Sequence, residues 1–162
     1  MIFLQAFVNS IKLPNKKAIF KLNRVGMDIA VIYMFILLVL VSIPSLIEQL
    51  TTMDGQSAEL NLFFQSIYFF IFYFLPLVLI VFLLLSLIAY IGSGIAHLMR
   101  RKLRYSILWK MSAFTTTVPV ILYTLLALIF PLSNTWLWLF FMYSIVFLIL
   151  IISVYPKRRV RS

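Results

Sequence analysis

LFFQSIYFFIFYFLPLVLIVFLLLSLIAYIGSGIAH, residues 62–97, runs without a single Asp, Glu, Lys or Arg. A hydrocarbon core about 30 Å thick is crossed by about 20 apolar helical residues, and this stretch is longer than that. Lipid offers no water to unpaired backbone groups, so a segment of this kind is helical. The excess length predicts tilt, a kink at Pro76, or extension into the cytoplasm.

The flanking chain repeats the pattern. Upstream, Met27–Ile47 reads as a first span, with Asp28 at its start, where the helix dipole and interfacial water tolerate a carboxylate, and Pro44 near its outer end. Glu48, Asp54, Gly55 and Glu59 mark a short polar loop. Downstream of the second span a basic loop leads into a third, Met111–Phe130. Pro131, Ser133 and Asn134 then predict a tight turn, with Ser133 or Asn134 as N-cap of a fourth span. The expected fold is all-α: an integral membrane bundle of four transmembrane helices at about 27–47, 62–92, 111–130 and 135–154, lengths that suit the bilayer.

Composition agrees. Of 162 residues, 64% are hydrophobic and 11% charged, against about 45–50% and about 25% in soluble domains. So few charges cannot cover so much apolar surface in water. The net charge of +10 raises nucleic acid as a partner, but the basic residues flank the apolar runs, so no nucleic acid is expected. Anionic lipid headgroups are the expected counter-charge.

Charge also sets orientation. Five basic residues precede the first span, five lie between the second and third, and four follow the fourth, accounting for all fourteen. Four spans place those segments on one side, and the positive-inside rule makes that side cytoplasmic. The expectation is a multi-pass plasma-membrane protein with both termini cytoplasmic, segments 1–26 and 156–162 flanking a transmembrane domain, 27–155. Trp136 and Trp138 suit an outer aromatic belt, and Trp109, Tyr105 and Tyr155 an inner one.

Residues 1–26 begin with Phe3, Leu4, Phe7, Val8 and Ile11 at helical spacing, followed by Lys12, Lys16, Lys17, Lys21 and Arg24. The apolar stretch precedes the lysines, the reverse of a cleavable signal. It predicts an amphipathic helix, either interfacial on the cytoplasmic leaflet or packed under the bundle.

Chemistry is sparse. With no cysteine, thiolate metal sites, disulfides and Cys nucleophiles are excluded. No Ser-His-Asp set or mid-span carboxylate pair is present; Gln65, Ser86 and Thr115–Thr117 are the deepest polar candidates. Gly92-Ser93-Gly94 is too short for a phosphate cradle and lacks the Lys that would follow. His97, the lone histidine, has no companion ligands for a metal. No cofactor is expected.

Two polar stripes stand out at helix-face spacing: Ser86, Tyr90, Ser93, Gly94 and His97 on the second span, and Ser112, Thr116, Pro119 and Tyr123 on the third. Small and weakly polar residues hold membrane helices together, so both stripes are expected to face the bundle interior as packing surfaces or a polar face. The basic loop, Arg100, Arg101, Lys102, Arg104 and Lys110, is the candidate cytoplasmic interaction surface, through topogenic charge and anionic lipid or an acidic partner.

Phe7-Val8-Asn9-Ser10-Ile11, Pro14-Asn15-Lys16-Lys17, the span ending at Ile43-Pro44, and Leu103-Arg104-Tyr105-Ser106-Ile107-Leu108-Trp109-Lys110 together resemble a family of uncharacterised polytopic membrane proteins from Gram-positive bacteria. The resemblance runs in order over most of the chain. It implies kinship with the wider Yip1-like group, one branch of which bears the name maltodextrin-utilisation protein from its neighbourhood with sugar-uptake genes. It brings no catalytic residues. Family members have a longer segment between the first two spans than the Glu48–Asn61 present here.

The expected function is that of a non-enzymatic accessory or scaffolding subunit of a bacterial membrane protein complex, its partners other integral membrane proteins, with a sugar transporter as one setting. The alternative is a small homo-oligomeric transporter or channel. An intramembrane lipid enzyme would have only His97 and Asp28 to work with.

Overall fold

The structure, a computed structural model, describes residues 2–51, 58–101, 103–130 and 136–156. Asp54, Gly55, Lys102, the Pro131–Asn134 turn and the basic tail from Lys157 lie outside the described residues, as do the side chains of Glu59, Trp136 and Trp138.

The described chain is helical: α1 (Ile2–Ile11), α2 (Lys16–Asn23), α3 (Met27–Thr51), α4 (Ala58–Phe69), a π-helical turn (Phe70–Phe74), α5 (Leu75–Leu98), α6 (Tyr105–Thr115), α7 (Thr117–Ala127) and α8 (Trp136–Val154). Three continuous stretches, Met27–Gln49, Phe63–Leu98 and Tyr105–Ala127, are long and apolar enough to cross a membrane.

Proline explains both irregularities in the longer spans. Pro76 has no N–H and its ring crowds the preceding turn. The helix widens just before it, so that the Leu75 N–H bonds the Phe70 carbonyl five residues back, the register of a π turn. Pro119 deprives the Thr115 carbonyl of its helical donor in the same way, and α6 gives way to α7 at Thr116. Side chains reinforce that break. Thr115, Thr116 and Thr117 donate their hydroxyls to the carbonyls of Ser112, Ala113 and Phe114 at 2.8, 2.7 and 2.8 Å. Each backbond satisfies a polar group that apolar surroundings would otherwise penalise.

The α6 helix is the axis of the bundle. Every residue from Leu108 to Thr115 is buried, and α6 touches α1, α2, α3, α5, α7 and α8. The α3 helix presents Ala30, Tyr33, Met34, Leu37 and Leu38 to the core, one face at offsets of three and four. Tyr33 packs its ring on Phe114 at 5.3 Å, and its hydroxyl lies 2.8 Å from that of Thr117. The one Thr117 hydrogen is already on Phe114, so Tyr33 is the donor.

Glycine decides the α5–α8 contact. A Cβ on Gly92 would stand 2.5 Å from Cδ2 of Leu148, so the α8 side chain fills the space that the missing Cβ leaves. Leu85, Ile88, Ala89, Gly92 and Ala96 form the buried face of α5. Close approach over small residues is how helices associate in lipid, where burial of apolar surface gives little drive.

The N-terminal helices belong to the bundle. Asn15 caps α2, its side chain accepting from the Lys17 N–H at 3.1 Å. The α1 helix packs on α2, α6 and α7, burying Ala6 and Ser10 and leaving Ile2, Phe3, Leu4, Phe7, Val8 and Ile11 exposed.

Candidate functional site

Arg101, Tyr155 and Phe20 meet at one end of the bundle. The α5 helix ends in a Schellman turn: the Arg100 N–H bonds the His97 carbonyl at 3.0 Å and the Arg101 N–H the Ala96 carbonyl at 2.8 Å. Arg100 holds the left-handed position, φ 52°, that such turns usually give to glycine. The turn sends Arg101 across to the end of α8, where its Nη1 donates to the Tyr155 carbonyl. The Tyr155 ring meets Phe20 of α2 at 5.6 Å. Three distant stretches of chain, each with a basic cluster in sequence, are thus tied together. Buried among them, the Tyr155 hydroxyl and Arg101 Nε have no hydrogen-bond partner among the described residues. Burial pushes the Tyr155 phenol up to about 12, so it is neutral.

Lys110 stands apart from the other basic residues. At 9% exposure it is buried, and Nζ donates to the carbonyls of Asn23 at 2.9 Å and Val25 at 2.7 Å. It cannot serve as an open docking cation; it caps the C-terminal end of α2 and clamps the α2–α3 turn to α6. Arg100 and Arg104 are exposed and Arg101 is half-buried, while Lys102 lies outside the described residues. Trp109 is likewise within the protein, packed on Phe82 at 5.6 Å and donating Nε1 to the Ser86 hydroxyl at 3.2 Å. Tyr105 is exposed and donates to the Ser86 carbonyl at 3.3 Å. The inner aromatic positions therefore include two, Trp109 and Tyr155, that pack against protein.

The two polar stripes part company. Ser112 and Pro119 are buried and Thr116 and Tyr123 half-buried. The α5 stripe is turned the other way. Tyr90 is 73% exposed, Gly94 and His97 are exposed, and Ser93 and Ser86 are half-buried. A Cβ on Gly94 would meet nothing within 4 Å. Tyr90, Gly94 and His97 thus lie outside, whereas Ser86 accepts from Trp109 of α6. Two small-residue faces of one helix compete for the interior, and the one carrying Ala89, Gly92 and Ala96 takes it, on the side where α5 packs against α6 and α8. The outcome is a hydroxyl, an imidazole and a glycine on the outside of a membrane-length helix.

Sequence reasoning missed the buried Lys110 clamp and the Tyr33–Thr117 bond. A lysine beside four other basic residues carries no local sign that two carbonyls await it.

Comparison with known proteins yields one family. No curated protein and no solved structure matches the chain. A family model described as "Protein of unknown function (DUF1189)" matches residues 50–152. The match includes the Leu103–Lys110 stretch, whereas the opening Phe7–Lys17 stretch lies before it. It spans the π turn, the α5 face, the Schellman turn and the α6 axis, and on that extent the chain belongs to the DUF1189 family.

Proposed function

We propose that this protein is a non-enzymatic accessory or scaffolding subunit of a bacterial membrane protein complex, and that it receives a partner's transmembrane helix on the outward α5 face. The observation that carries the reading is the exposure of Tyr90, Gly94 and His97 on one face of a span, with Ser93 at its edge. In lipid, a hydroxyl and an imidazole gain from a hydrogen-bonding neighbour, and a glycine gains nothing unless a second helix approaches closely. The interior supports the same reading. Its buried hydroxyls Ser112, Thr115, Thr117 and Thr124 all donate to carbonyls of their own span, which suits packing better than a hydrated path.

In this reading the bundle has four spans. Trp136–Val154 is 19 residues long, about 28 Å of helix at the standard rise, enough for the fourth. With four spans the three basic segments of the sequence fall on one side, and the positive-inside rule makes that side cytoplasmic, with both termini there. The α1 helix lies at the inner interface, its exposed apolar side chains toward lipid. Association with a sugar transporter is one candidate setting, suggested by the branch of the resembled family that bears the name maltodextrin-utilisation protein.

A photo-crosslinking amino acid placed at Tyr90, Ser93 or Gly94 tests this in native membranes. Leu84 and Ile91, exposed on another side of the same helix, serve as controls. The expected product is a stoichiometric adduct to a transmembrane segment of another protein from the first set and none from the controls. A monodisperse, uncrosslinked monomer overturns the reading. Adducts to a second copy, joined with solute flux in liposomes, replace it with a homo-oligomeric channel or transporter.

A further inference from the structure

A groove of about 450 Å³ opens between α1 and the α2–α3 turn. Its polar lining is Lys12, Lys21, Arg24 and the amides of Gln5 and Asn9. Its apolar lining is Ile2, Leu4 and Val8, with Val25 and Ala6. All three cations are exposed, and none forms a hydrogen bond or ion pair through its side chain among the described residues. Three of the chain's four acids lie between the first two spans, leaving Asp28 as the carboxylate of this region. The walls are thus cationic and apolar at once.

That combination selects a ligand class. A soluble anion gains from the three cations but nothing from Ile2, Leu4 and Val8. An apolar molecule gains the reverse. An anionic phospholipid supplies both: a phosphate for Lys12, Lys21 and Arg24, hydrogen-bond acceptors for the Gln5 and Asn9 amides, and acyl chain for the side chains that α1 leaves uncovered. The volume is within the range of small-molecule sites and suits a headgroup with the start of its chains. Basic pockets on the cytoplasmic side of membrane proteins hold such headgroups. We propose that the α1–α2 groove is a discrete binding site for one anionic phospholipid, distinct from diffuse attraction of the basic end to the membrane.

The test uses the full chain in nanodiscs and in mild detergent, with phosphatidylglycerol as the probe and phosphatidylcholine as the neutral comparison. Native mass spectrometry should find one retained phosphatidylglycerol, and the triple variant K12Q/K21Q/R24Q should weaken retention at least 10-fold. The control is K16Q/K17Q, which removes exposed lysines of the same α2 helix that do not line the groove; its retention should match the unmodified protein. Equal loss in both variants, or equal retention of the two lipids, overturns the proposal. Leu4→Ser and Val8→Ser separate the sources of phosphate. They should weaken phosphatidylglycerol while leaving displacement by inorganic phosphate unchanged, and a site indifferent to them binds free anion instead. Should the triple variant fail to fold, the singles Lys12→Gln and Lys21→Gln each still have to lower retention, and Lys21→Arg to preserve it.

Discussion

Lys110 Nζ donates to the carbonyl of Asn23 at 2.9 Å, a bond across 87 positions of sequence that joins the middle of the bundle to the end of α2. Its second bond, to Val25 at 2.7 Å, completes a clamp on the turn that introduces the first span. A cation at a helix C-terminus is favoured by the helix dipole, and short bonds from an ammonium are among the stronger kind.

Lys110→Met should therefore destabilise the protein by about 1.5–3 kcal/mol, the range for hydrogen bonds to charged groups. Loss of the buried ammonium's desolvation penalty offsets part of this. The measurement is thermal unfolding in detergent, paired with trypsin cleavage at Lys16, Lys17 and Lys21. Faster cleavage in α2 is expected; an unchanged melting temperature and cleavage rate would show that the clamp contributes nothing.

Gly92 predicts a graded response. The atom that a new Cβ would meet is the far end of Leu148, so Gly92→Ala can be absorbed by a rotamer change, at about 1 kcal/mol. Gly92→Ile has to push α5 from α8 and should cost about 3 kcal/mol. In a double-mutant cycle, Gly92→Ala and Leu148→Ala should couple by at least about 0.5 kcal/mol, the second relieving the first. Strict additivity would place the two residues out of contact.

Arg100 is a site of expected gain. An L-residue in the left-handed region is strained by about 1 kcal/mol or more, and the residue is exposed. Arg100→Gly should raise stability by about 0.5–1 kcal/mol, less the greater freedom of glycine in the unfolded chain. A fall in melting temperature would mean that the Arg100 side chain holds the turn by some other contact.

Tyr155 gives the alkaline limb of the stability profile. Its folded pKa, about 12, exceeds the ordinary tyrosine value near 10. The unfolded chain thus releases this proton first as pH rises, so the contribution of Tyr155 is constant below pH 10 and is lost between about 10 and 12. Tyr155→Phe removes that contribution together with a buried hydroxyl that has no partner among the described residues. It should leave stability at neutral pH equal or slightly higher and flatten the alkaline decline, read by unfolding at pH 8 and pH 11.

Much of the fold was legible because lipid imposes simple rules. Length and apolarity mark spans at about 27–47, 62–92 and 111–130, and the structure has Met27–Gln49, Phe63–Leu98 and Tyr105–Ala127 as helices long and apolar enough to cross a membrane; the π turn at Phe70–Phe74, just before Pro76, was not foreseen. The Thr115–Thr117 run was visible as deep polar residues, though not as the end of α6. Of the candidate site, spacing defines a stripe on the third span, of which Ser112 and Pro119 are buried. The α5 stripe was visible as a stripe but not in its direction, since helix periodicity defines a face without saying what it faces.

By itself the sequence determined that this chain is helical, with stretches long and apolar enough to cross a membrane and its basic residues in three flanking clusters, because the cost of exposing polar backbone or charge to hydrocarbon acts on each segment independently. Only the tertiary structure decided that Ala89, Gly92 and Ala96 rather than Tyr90, Gly94 and His97 turn inward, that Lys110 is an internal clamp, and that Arg101, Tyr155 and Phe20 meet. Those outcomes depend on close fit between side chains far apart in sequence, Gly92 against Leu148 above all, and such fit exists only once the helices are packed.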